Sequence, residues 1–122
     1  MRRAASVAVL AVLLPLGTVT AQTYAVPQRY CAGRLVAEQF STAVTPGPQG
    51  RADYYVTLFN PGAAQVEFRL QITGDVIGKP TGLMSLAAGQ RTQTRLGYSL
   101  NTPGRMPLRN EQLADAVRAS CV

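Results

Sequence analysis

From residue 34 to residue 96 the chain repeatedly alternates apolar and polar side chains at a period near two. That is the spacing at which neighbours on an extended backbone point to opposite faces. Arg34 to Ser41 is the first such run, with Val36 and Phe40 on the face opposite Leu35 and Ala37. Ala52 to Phe59 is the clearest: Tyr54, Val56 and Leu58 share one face, and Tyr55, Thr57 and Phe59 the other. With both faces largely apolar, this strand is expected at the centre of a sheet. Gln65 to Ile72 alternates strictly, Val66, Phe68, Leu70 and Ile72 against Gln65, Glu67, Arg69 and Gln71, as a strand does that covers a core on one side only. Asn60-Pro61-Gly62-Ala63 between them reads as a turn, so residues 52–72 are expected to form a hairpin. A short strand at Leu83–Leu86, the turn Ala87-Ala88-Gly89 and a strand at Gln90–Leu96 follow, the last with Thr92, Thr94 and Leu96 opposed to Arg91, Gln93 and Arg95.

The intervening stretches lack this period. Thr45 to Gly50 holds two prolines without N–H groups and two glycines, and reads as a loop. Thr73 to Gly82 reads likewise, around the short apolar pair Val76-Ile77, as does Tyr98 to Pro107. Near the C-terminus the period changes. Leu113, Ala116, Val117 and Ser120 or Cys121 fall on one helical face, with Asn110 as N-cap and Glu111 where the helix dipole favours an anion, which predicts a helix over 110–120. A final strand is the alternative. Five strands joined by Pro/Gly turns, with no helix between them, predict a mainly β fold: a small antiparallel β-sandwich or barrel with a short C-terminal helix.

The N-terminal pattern belongs to targeting. Arg2 and Arg3 precede an apolar run, Ala4 to Leu16, that is too short to span about 30 Å of hydrocarbon. Val19 and Ala21 then supply small residues at −3 and −1, so residues 1–21 read as a cleavable signal peptide, with a cut after Ala25 as the lesser alternative. The domain proper is then 22–122, a single unit of 101 residues, since 21 of the 122 leave with the leader. Two of the twelve cations leave as well, and the net charge falls from +6 to +4. No other apolar run approaches the length of a membrane span.

Export gives the two cysteines their meaning. In an oxidising compartment Cys31 and Cys121 have one intramolecular pairing, and it would close a loop of 91 residues. The chain-entropy account gives such a bond roughly 4–5 kcal/mol at most.

Composition narrows the chemistry. The chain has no His, so the commonest base near neutral pH and the commonest neutral metal ligand are missing. Lys79 lies between Gly78 and Pro80 with no Ser-x-x-Lys pattern, and the six carboxylates are scattered. No Gly-rich phosphate loop and no CxxC spacing occur. Neither catalysis, a metal nor a cofactor is expected.

The strand-turn-strand Tyr54-Tyr55-Val56-Thr57-Leu58-Phe59-Asn60-Pro61-Gly62, the alternating run to Ile72 and the segment Leu86-Ala87-Ala88-Gly89-Gln90-Arg91-Thr92 resemble bacterial extracellular immunoglobulin-like modules. The resemblance covers about residues 52–96 and implies a binding or assembly module with no catalytic residue. The expectation is therefore a periplasmic or secreted, non-catalytic interaction or structural module of the cell envelope, with a protein partner in the envelope or outside it and no nucleic acid. The alternative is a small secreted ligand-binding or inhibitor protein. It would use a cationic strand face, Arg91 and Arg95 with Arg105 and Arg109 nearby, against an anionic polymer or lipid head group. The same arginines also read as a charged edge strand that discourages sheet-to-sheet aggregation.

Overall fold

A computed structural model of the chain describes residues 20–24, 27–102 and 106–122. The leader up to residue 19 and Arg105 lie outside the described residues. The elements are β1 (Thr20–Tyr24), β2 (Gln28–Tyr30), β3 (Leu35–Val44), β4 (Arg51–Phe59), β5 (Val66–Ile72), β6 (Met84–Leu86), β7 (Arg91–Leu100), α1 (Asn110–Ala116) and β8 (Val117–Cys121). All strand pairings are antiparallel and they form two sheets. The larger runs β1-β3-β4-β7, with β2 following β1 along the same edge of β3, and the smaller runs β6-β5-β8.

The core lies between these sheets and follows from the alternation. Ala52, Tyr54, Val56 and Leu58 of β4 and Leu96 of β7 are buried against Val66, Phe68, Leu70 and Ile72 of β5, Leu86 of β6 and Val117 of β8. Leu113 and Ala114 of α1 close one side. The helix is fixed to the larger sheet by a buried hydrogen bond of 2.6 Å in which the Thr42 hydroxyl donates to Asn110 Oδ1. Two buried polar side chains are thereby satisfied together.

Four sequence expectations are corrected. Residues 52–72 are not a hairpin: β4 has β3 and β7 on its flanks, while β5 belongs to the opposite sheet between β6 and β8. The crossing is organised by Asn60, which is 1% exposed. Its Nδ2 donates to the carbonyls of Ala64 (2.8 Å), Leu86 (3.1 Å) and Ala87 (3.1 Å), and its Oδ1 accepts from Gly62 N (2.9 Å). Its backbone N donates to Gln90 O and its carbonyl accepts from Gly89 N. One side chain thus ties the β4–β5 connection to the β6–β7 turn, and Pro61, without an N–H, keeps the β4 ladder from continuing.

Second, Phe40 shares the core face with Leu35 and Ala37 instead of opposing them, because the β3–β4 register shifts between Ala37 and Gln39. The extra residue of this bulge, Glu38, resets the alternation. Third, β7 continues beyond Leu96 to Leu100 through a second register shift at Gly97 (φ +128°). There a Cβ would lie 2.5 Å from Ile77 O and 2.6 Å from Val76 Cγ1, so the close approach of the 76–77 segment requires glycine. Fourth, the C-terminal helix stops at Ala116 and residues 117–121 are a strand. Arg109, not Asn110, is the N-cap, its backbone N donating to Gln112 Oε1 at 2.8 Å. Thr73 N takes the freed carbonyl of Ala116, and Val117, Ala119 and Cys121 alternate inward at strand spacing beside β5.

The two cysteines are joined. Cys31, in a single 3₁₀ turn (Cys31–Gly33) between β2 and β3, is disulfide-bonded to Cys121 at the end of β8, with Cα atoms 5.9 Å apart and a sequence separation of 90. A bond of this kind belongs to an oxidising, non-cytoplasmic compartment.

Candidate functional site

Of the arginines singled out in the sequence, Arg91 and Arg95 lie on the outer face of the larger sheet, each held by a carboxylate. Arg91 reaches across β4, with its guanidinium carbon 4.4 Å above the Phe59 ring centroid, and grips the Glu38 carboxylate with Nε and Nη2, the latter at 2.9 Å. The β3 bulge is what brings Glu38 within that reach. Arg95 donates to Asp53 at 2.5 Å and lies 5.1 Å from the centroid of Tyr98, over which Arg51 also stacks at 4.6 Å. The fork on Glu38 holds its carboxyl below the ordinary carboxylate value, and the Arg91 and Arg95 guanidiniums are raised in turn by hydrogen bonds to their partners. Arg91 and Arg95 each have a carboxylate partner within the fold. Arg109 opens α1 and takes no part in these ion pairs.

The concave surface lies elsewhere, where the 74–77 segment, the end of β7 and the segment leading to α1 converge. Two adjoining hollows of about 280 and 440 Å³ share Asp75, Ser99 and Leu100 in their walls. At the floor of the first, the phenol of fully buried Tyr54 is 2.6 Å from Ser99 Oγ and accepts from Leu108 N at 3.0 Å. Tyr54 therefore anchors the segment that forms one wall. Asn101 holds the opposite side, with Nδ2 donating to the carbonyls of Thr45 (3.0 Å) and Gly47 (2.9 Å). The rim is apolar and exposed: Ile77 is 46%, Leu100 56% and Met106 89% accessible.

Comparison with protein-family models, with characterised proteins and with solved structures finds no match. The chemistry of this site is thus read from its own atoms. The Ser99 hydroxyl is bonded to a phenol and not to a base, whereas nucleophilic catalysis needs a base beside the hydroxyl. Among the described residues Asp75 is the one carboxylate in either wall, and no three His, Cys, Asp or Glu side chains come together. No helix among them is long and apolar enough to cross a membrane. What the groove presents is the hydroxyls of Tyr54, Ser99 and Thr102 and the Asp75 carboxylate beside three exposed apolar side chains. Such a surface suits a segment that brings an apolar side chain and a few polar backbone groups.

Sequence reasoning passed over this groove because its parts are far apart along the chain and each is ordinary alone. One signal was present: Tyr54 places a phenol among the core-facing residues of β4, and a buried Tyr hydroxyl needs a partner. Tyr30 shows the same rule beside the disulfide. Burial pushes its phenol up to about 12, against a smaller opposing effect of Arg118, and its hydroxyl donates to Val117 O at 3.4 Å. It packs on the core edge and so covers one end of the sandwich.

Proposed function

We propose that the protein is an exported β-sandwich of immunoglobulin-like type that acts as a non-catalytic interaction module of the bacterial envelope, binding a protein partner at the groove beside Tyr54. The observation that carries this reading is the exposed apolar rim of Ile77, Leu100 and Met106 around a hydroxyl-floored hollow, a clustering that marks interaction sites on soluble domains. The immunoglobulin-like assignment is supported by strand order. With β3, β4, β5, β6, β7 and β8 read as strands A, B, C, C′, E and F, the sheets run A-B-E and C′-C-F, the neighbours that strands have in that fold. Export is supported by the disulfide together with the leader-like pattern of residues 1–21.

The experiment compares two variants of the exported protein. Replacing Leu100 and Met106 together with Asp is expected to abolish co-purification of the envelope partner, and replacing Arg91 and Arg95 together with Gln to leave it intact. The opposite pattern would overturn the groove in favour of an anionic target at the arginine face. Recovery of the protein in the cytoplasm with residues 1–21 still attached would overturn export.

A further inference from the structure

The outer edge of β7 carries an unpaired run of backbone whose usual protection has been turned away. Asn60 N donates to Gln90 O, which fixes the phase of the β4–β7 ladder. By the alternation of an antiparallel pair, Thr92 and Thr94 bond to β4, so the N–H and C=O groups of Arg91, Gln93 and Arg95 point outward. Ile77 occupies the far end of this edge through its paired bonds with Tyr98, but no hydrogen bond from any described residue reaches the three outward positions. Edge strands are ordinarily guarded by charged side chains. Here the guanidiniums of Arg91 and Arg95 lie back over their own sheet, drawn in by Glu38 and Asp53 and stacked on Phe59 and Tyr98.

We propose that this edge pairs with the same edge of a second copy, giving a two-fold dimer whose axis passes through Gln93. The occupant follows from the register. Antiparallel pairing about Gln93 sets Gln93 against Gln93 of the second copy and Arg91 against Arg95. It uses every outward N–H and C=O of residues 91, 93 and 95 in both copies. On the inner side it opposes Thr92 to Thr94, a pairing sheets favour. The like charges that meet at 91 and 95 are each offset by a carboxylate of their own copy, so the row across the junction reads Glu38, Arg91, Arg95, Asp53 and sums to zero. Two five-stranded sheets thereby become one continuous sheet, and an isologous contact of this kind closes at two members.

Sedimentation equilibrium of the mature protein over a dilution series is the test. The wild type is expected to be a dimer. Gln93→Pro removes an N–H that faces solvent in the monomer, at an edge position where proline is tolerated, and should raise the dimer dissociation constant on the order of a hundredfold through the two symmetric bonds lost. Gln93→Lys, which sets two ammonium groups against each other on the axis, should have the same effect and decides the matter if the proline variant does not fold. Glu38→Gln frees Arg91 to repel its counterpart and should weaken the dimer although Glu38 does not touch the edge. A wild type that is monomeric throughout, or a dimer that survives both changes at Gln93, overturns the proposal.

Discussion

Replacing Asn60 probes the crossing between the two sheets more sharply than any change in the apolar core. In Asn60→Ala four side-chain hydrogen bonds disappear. Ala64 and Ala87 are exposed, so water can satisfy their carbonyls, but the bond to Leu86 O is buried. Leaving that carbonyl unpaired costs about 1–3 kcal/mol, and exchanging the other bonds for water adds roughly 0.5–1 kcal/mol in total, so a loss of about 1.5–4 kcal/mol is expected. At this domain size that is a fall in Tm on the order of 6–30 °C. Asn60→Asp should be worse at neutral pH, since a carboxylate would replace an amide that donates to three carbonyl oxygens. The introduced carboxyl has a raised pKa in the folded state. Its destabilisation is therefore greatest at neutral pH and shrinks as pH falls towards the unfolded carboxylate value of about 4. Urea unfolding of both variants at neutral pH and near pH 4.5 measures this. If Asn60→Ala lies within about 0.5 kcal/mol of wild type, the ordinary range of a surface change, then Asn60 is not the organiser of the crossing.

Three further outcomes are expected. Changing Cys31 and Cys121 together to Ser should lower stability by about 2–5 kcal/mol, measured by urea unfolding, and intact-mass analysis of the purified protein should show both thiols protected until reductant is added. The lowered pKa of Glu38 means its ion pair with Arg91 contributes stability that is present above its ordinary value of 4.5 and lost as pH falls through the folded value. Glu38→Gln should accordingly flatten the acid limb of a stability–pH profile, and an unchanged limb would show the pair to be without effect. Tyr30, with its folded pKa raised from 10.0 to about 12, contributes stability that is present below pH 10 and fades as pH rises between those values. Ultraviolet titration of wild type against Tyr30→Phe should show one late-ionising phenol missing from the variant.

Much of the architecture was legible because alternation reports burial directly. β4 and β5 emerged with nearly their observed limits; β4 is interior to its sheet as expected, and the core face of β5 was read correctly. Pairing was not legible, because a two-residue period says which face is buried but not which neighbour lies alongside. The turn at Asn60-Pro61-Gly62 looks the same whether the chain folds back in one sheet or crosses to the other. What distinguishes the two is the reach of Asn60 to Leu86 and Ala87, 26 and 27 positions away. Residues 113–121 defeated the pattern for another reason. Leu113, Ala116 and Val117 suit a helical face, and Val117, Ala119 and Cys121 suit a strand face; pairing with β5 selected the second for the last five residues. The Cys pairing was legible by elimination. The ion pairs of Arg91 and Arg95 were not, since Glu38 and Asp53 are 53 and 42 positions away and Glu38 arrives only through a bulge.

The bridge from Cys31 to Cys121 also decides how the molecule bears load. A pull applied from a point before Cys31 to a point after Cys121 passes through the sulfur–sulfur link and bypasses the 89 residues between, which follow from a sequence separation of 90. Such a pull can peel β1 and β2 from the edge of β3, while the strands between the two cysteines stay mechanically slack. Under such a load the residues between the two cysteines would keep their fold, and they would lose that insulation the moment the bridge is reduced.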